Sequence, residues 1–141
     1  EVVWNIEKGL ALSAEEIGVA ARTRGDLVRR VAAFFETHDL LACPAVLVPP
    51  FDCGQRYVAE VAGVRFETYV SWVALTFAIT LTGCPALSPP CGFTPDGLPV
   101  GLQLVGPPQG EHRLLAAAAL LEAELGLRTA TPIDPRPPGP G

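Results

Sequence analysis

Three serines, two histidines, one lysine and four cysteines are the side chains from which this 141-residue sequence could build covalent catalysis. A serine nucleophile needs a base within hydrogen-bond reach, itself oriented by a third group. Ser13 stands three residues before Glu16, the signature of a helix cap. Ser71 and Ser88 lie in apolar runs without the Gly-x-Ser-x-Gly elbow that exposes a nucleophile. The candidate bases are His38, His112 and Lys8. His38 reads as a cation at a helix end, and His112 falls on the exposed first turn of another helix.

The cysteines offer no better route. His38 precedes Cys43 by five residues, but no cationic cluster or helix start is placed to lower that thiol's pKa. Cys43, Cys53, Cys84 and Cys91 contain no Cys-x-x-Cys pair and no histidines at ligand spacing, so no metal is expected. They read as small buried hydrophobes of a reducing, cytoplasmic setting. Glu15 and Glu16 belong to the cap, and Glu122 and Glu124 to an alanine-rich helix. Gly92, Gly97 and Gly101 lack the strand-loop-helix context of a phosphate loop. The sequence therefore predicts no complete catalytic set, no metal and no cofactor.

The elements that would position these groups follow from periodicity. Ser13 starts a helix whose apolar positions Ile17, Ala20, Ala21, Leu27, Val28, Val31, Phe34 and Phe35 fall on one face. It is expected to end near Thr37 or His38, after a lead-in over 1–12 with no strong period. Leu40 to Val48 reads as a buried strand disturbed by Pro44. A loop follows, with a short strand over Tyr57 to Val61. Phe66 to Leu81 reads as one helix, stopped at Gly83. Ala86 to Ser88 and Val100 to Val105 read as strands around a Pro/Gly loop, and Glu111 to Leu125 as a helix closed by Gly126. Residues 128–141 form a Pro/Gly-rich tail, expected to be extended and poorly ordered, beyond a 1–127 folded segment. Strands alternating with helices predict an α/β fold with a mixed sheet.

Composition excludes some partners and suggests others. Fifteen acidic against ten basic residues leave a net charge of -5, with no basic stripe to replace phosphate counterions, so nucleic acid is not expected. No signal peptide opens the sequence, and the apolar run Val70 to Leu81 falls far short of the roughly 20 residues that span a bilayer. Yet 49% of residues are apolar and mean hydropathy is +0.33. A chain of this size buries only about two-thirds of its surface. The surplus predicts surface covered by missing chain or by another protein subunit, and the absence of any methionine fits an excised chain.

The stretch Gly83 to Gly106 reads GCPALSPPCGFTPDGLPVGLQLVG. It resembles the C-terminal hallmark of the amidase-signature family. Gly83, Pro85, Ala86, Ser88, Pro90 and Gly92 fit the first half of that hallmark, and Gly97, Leu98, Pro99, Gly101 and Gln103 the second. Asp39, Leu40, Leu41 and Pro44 resemble the way the family's chain enters the preceding strand, so the likeness covers about residues 10 to 126.

The resemblance implies α/β/α layers with a mixed sheet, and hydrolysis of amides or, in some members, esters. It implies a serine, a second serine in a cis peptide and a lysine as catalytic residues. Those belong to a Gly/Ser-rich core preceding this segment, and no residue here matches them. In relatives the helix before Gly83 helps wall the acyl pocket, which makes Trp72, Phe77 and Thr80 the candidate substrate-binding residues. Two departures stand out. Thr80 replaces a frequent Asn, and Val73 stands where the related tRNA-dependent amidotransferases carry an Asp, which favours an apolar or neutral substrate. The implied partners are a small-molecule amide and the missing N-terminal chain. The competing expectation is a non-enzymatic interaction module with an apolar interface.

Overall fold

A computed structural model describes residues 2–127; the tail expected over 128–141 lies outside them. Helix α1 spans Val2–Leu10 and α2 spans Ala14–Phe34. The cap forms as predicted: the Glu16 amide donates to Ser13 Oγ at 3.2 Å, and the Ser13 amide donates to the Glu16 carboxylate at 2.7 Å. Two amides left over at the helix start are thereby satisfied. Bonds from the Ser13 backbone and side chain also hold the Glu16 carboxyl below its ordinary pKa. Helix α2 ends at Phe34, a few residues before the sequence-based end. His38 folds back there, its Nδ1–H donating to the Phe34 carbonyl at 3.1 Å while its ring stacks on Phe34 at 4.2 Å. The lead-in without a strong period is nonetheless helical, and none of α1 is buried.

Strand β1 is Leu41–Pro44, shorter than the apolar run that predicts it. Two-residue strands β2 (Glu60–Val61) and β3 (Val64–Arg65) make a hairpin. Its turn residues Ala62 and Gly63 have φ of 50° and 78°, as a primed two-residue turn requires. The expected Phe66 to Leu81 helix divides into α3 (Tyr69–Trp72) and α4 (Ala74–Thr82). It starts late because Thr68 and Ser71 form a second capping box, and it breaks at Val73, whose ψ is 13°. Gly83 ends α4 in the left-handed region at φ 73°, as predicted. Then come β4 (Ala86–Leu87), β5 (Pro90–Phe93), β6 (Pro99–Val105) and α5 (Glu111–Leu125).

Strand β5 lies where the sequence reads as loop. Proline lacks an N–H, so pairing across Pro89 and Pro90 must use carbonyls. The Leu102 amide accordingly donates to the Pro89 carbonyl at 3.0 Å. Strand β6 runs between β1 on one side and β4 and β5 on the other, and every strand pair among the described residues is antiparallel.

Alternation along β6 divides its two faces. Leu102 and Leu104 turn toward α5, where Leu104, Leu114 and Ala118 form the core with Leu40, Leu87, Leu102 and Leu121 around them. Gly101 and Gln103 turn toward α4, which is tied to the sheet by the Thr76 hydroxyl donating to the Ala45 carbonyl at 3.2 Å. Helix α2 lies beyond α4, with Arg24 Nε donating to the Leu81 carbonyl at 3.0 Å. The result is helix, sheet, helix: the α/β layering expected. The predicted apolar face of α2 is only half covered. Leu27, Val28, Val31, Phe34 and Phe35 are half-buried, while Ile17 is 55% exposed.

Candidate functional site

Two shallow cavities open on the α4 face and share Thr76 and Thr80. The first, about 410 Å³, is lined by Val46, Tyr69, Trp72, Val73, Thr76, Phe77 and Thr80. The second, about 470 Å³, lies between α4 and the sheet; Ile79, Thr80, Ser88 and Gln103 are among its walls. The helix break at Val73 is what aims α3 at the first cavity. It turns Tyr69 and Trp72 onto the side where α4 presents Thr76, Phe77 and Thr80.

Trp72, Phe77 and Thr80, the three candidates drawn from the sequence, therefore line one groove. Trp72 is held by edge-on contact with Phe51 at 5.7 Å and by Tyr57 and Tyr69 at about 6 Å. Its buried indole N–H has no partner among the described residues. Tyr69 and Thr76 are additions that sequence reasoning does not reach. They sit one turn either side of Trp72, but a continuous helix gives no reason to prefer that face. Gln103 is a third addition, and finding it needs the register of β6 to be known.

The side chains able to perform covalent chemistry are scattered. Ser13 and Ser71 are committed to caps. Ser88 borders the second cavity, which no histidine, lysine or carboxylate lines. Across the sheet Glu122 shares another groove with Ser88, with no hydrogen bond joining them. Lys8 Nζ lies over the Trp4 ring at 5.5 Å on α1. No cluster of His, Cys, Asp and Glu among the described residues could hold a metal ion. All four cysteines are free; Cys43, Cys84 and Cys91 are half-buried, but Cys53 is exposed, against the expectation that all four pack inside. Burial pushes the Cys43 thiol above its ordinary pKa. Because the thiolate is the reactive form, iodoacetamide at pH 8 should modify Cys53 several-fold, roughly, ahead of Cys43. Peptide mass spectrometry over time measures the ratio, and equal rates would contradict the burial assigned to Cys43.

Comparison with known proteins decides the family. The family model described as Amidase matches residues 1–115. The chain belongs to the amidase family. It is 33% identical over 135 residues to the putative amidase AmiA2 of Mycobacterium tuberculosis (strain ATCC 25618 / H37Rv), covering 92% of this chain and 27% of that one. A crystal structure of an amidase superposes with a TM-score of 0.73 at 31% identity, over 84% of this chain and 27% of that one. The structure of a 6-aminohexanoate cyclic dimer hydrolase superposes with a TM-score of 0.70 at 25% identity, over 86% of this chain and 27% of that one. The chain thus spans about a quarter of the length of these relatives. The helix-sheet-helix layering is that family's fold, and no described helix is long and apolar enough to cross a membrane.

Proposed function

We propose that this chain is the C-terminal portion of an amidase, a hydrolase of carbon–nitrogen bonds, in which it serves as scaffold and substrate-pocket wall. The convergence of Trp72, Phe77 and Thr80 on one groove carries the reading. The family match and the span of a quarter of the relatives' length support it. The nucleophile and base are supplied by chain outside this segment, which also covers the exposed apolar side chains of α1 and α2. The substrate is a small amide whose apolar acyl part rests against Trp72 and Phe77. Free cysteines support a cytoplasmic setting.

The second reading is an interaction module without catalysis, favoured by the exposure of Val2, Val3, Ile6, Leu10 and Ile17. Expression of the whole open reading frame that contains this chain separates the two. The amidase reading expects amide turnover, with Trp72→Ala and Phe77→Ala each lowering kcat/KM about 10- to 100-fold, chiefly through KM. An open reading frame with no lysine and no Gly/Ser-rich double-serine core upstream of this chain would leave the interaction module standing.

A further inference from the structure

Helix α5 has two apolar faces, and the sheet uses only one. The inner face, through Leu114 and Ala118, is buried. The outer face, formed by Leu115, Ala116, Ala119, Leu120 and Ala123, is exposed along its whole length, Leu115 at 64% and Leu120 at 71%. These positions follow helical spacing on the side that polar residues usually occupy. A groove of about 340 Å³ runs beside them, where Leu115, Ala119 and Glu122 stand against Leu87 and Pro90. Charge is divided along the helix: Arg113 lies near its start and Glu124 near its end. Eleven residues separate the two, about three turns, so both project from the same flank of the apolar face. Neither has an ion-pair partner among the described residues.

We infer that the outer face of α5 is a self-association surface, on which a second copy of this chain packs antiparallel about a two-fold axis. A two-fold contact pairs one patch with itself, so the patch must be self-complementary. With the axis passing between Ala117 and Ala118, Arg113 reaches Glu124 of the partner subunit, and symmetry repeats that pair at the other end. Ala116 faces Ala119 of the partner subunit, which lets the helix axes approach to about 8 Å. Leu120 then lies over Ala116 of the partner subunit, and Leu115 beside Ala119 of the partner subunit at the mouth of the groove, so each large side chain meets a small one. Opposed helix dipoles add to the same arrangement. A parallel pair would instead set like charges together. This match of the face to its own reverse selects a second copy as its occupant over chain outside the segment. Helix α5 has 15 residues and is about 22 Å long, so the contact stays below the roughly 1,200 Å² of a standard interface and is weak. The inference is independent of the amidase reading.

The test is analytical ultracentrifugation of the 141-residue chain between about 10 and about 500 µM, where a monomer–dimer equilibrium with a Kd on the order of 100 µM is expected. Leu120→Glu should weaken the dimer about tenfold or more, while Ile17→Glu on the exposed face of α2 leaves it unchanged. Arg113→Glu and Glu124→Arg should each weaken it about fivefold, and the two together should restore it to within about twofold. Both reversals suit the helix dipole and lie on the surface, so far-UV circular dichroism should show the fold retained. A chain that stays monomeric throughout would overturn the inference and leave this face to chain outside the segment. Association that survives Leu120→Glu, or that Ile17→Glu abolishes, would overturn it in favour of the α2 face. Failure of the double reversal to recover the dimer would overturn the antiparallel pairing.

Discussion

Leu114→Ala is expected to destabilise the chain by about 2–5 kcal/mol, whereas Leu115→Ala should change its stability by no more than about 0.5 kcal/mol. The two leucines are neighbours on α5, but Leu114 is 2% exposed and Leu115 is 64% exposed. Leu114 packs with Leu104 and Ala118 at the contact between α5 and the sheet. Its Cβ also lies 3.3 Å from where a side chain at Gly106 would begin, so the strand end closes tightly over it. Truncation leaves a cavity that this contact cannot fill, because Gly106 has no side chain to move in. Only Leu104, Val105, Leu114 and Ala118 are buried hydrophobic residues among those described, and a domain's whole stability is only about 5–15 kcal/mol. The alanine variant should therefore lose most of its cooperative urea transition by far-UV circular dichroism. Equal midpoints for the two variants would mean that α5 docks through another face.

That contrast also marks what the sequence could and could not disclose. Local signals with a mechanism were legible. Ser13 and Glu16 predict a cap that forms, and Gly83 and Gly126 end helices in the left-handed region as predicted. Signals that depend on other parts of the molecule were not. Leu114 and Leu115 fit the helical pattern equally well, and only the sheet's position distinguishes them. Strand β5 is hidden because prolines usually exclude a strand, and the carbonyl-only pairing at Pro89 shows itself only once β6 lies alongside. The break at Val73 is hidden because Phe66 to Leu81 has the length of a single helix. The box at Thr68 closes on Ser71, without the Glu or Gln that usually marks one in a sequence. Of the two cavities, the groove of Trp72, Phe77 and Thr80 is reachable through family resemblance. Gln103 stands out in the sequence only as a motif position, since its burial depends on β1 and β4 flanking β6 on both sides.

The 141-residue chain alone is expected to release no aniline from acetanilide. Each serine has a local reason to be inert. Ser13 Oγ donates to the Glu16 carboxylate at 2.8 Å, and Ser71 Oγ donates to the Thr68 carbonyl at 2.8 Å. Ser88 is the serine that borders the cavity beside α4, yet that cavity is lined by no base. Its hydroxyl also lies 2.5 Å from where a Cβ on Gly101 would stand, so the close approach of β6 fixes its surroundings. A serine hydroxyl without its base loses on the order of 10⁴- to 10⁶-fold in rate, which puts turnover below detection at milligram concentrations over hours. The two histidines cannot substitute, since His38 is stacked on Phe34 and His112 lies exposed on the first turn of α5. Aniline release is followed by liquid chromatography alongside Ser88→Ala and Glu122→Gln variants. Activity present in the unaltered chain and lost in either variant would show that this segment carries catalytic chemistry after all. Activity equal in all three preparations would point to a contaminant and leave the expectation intact.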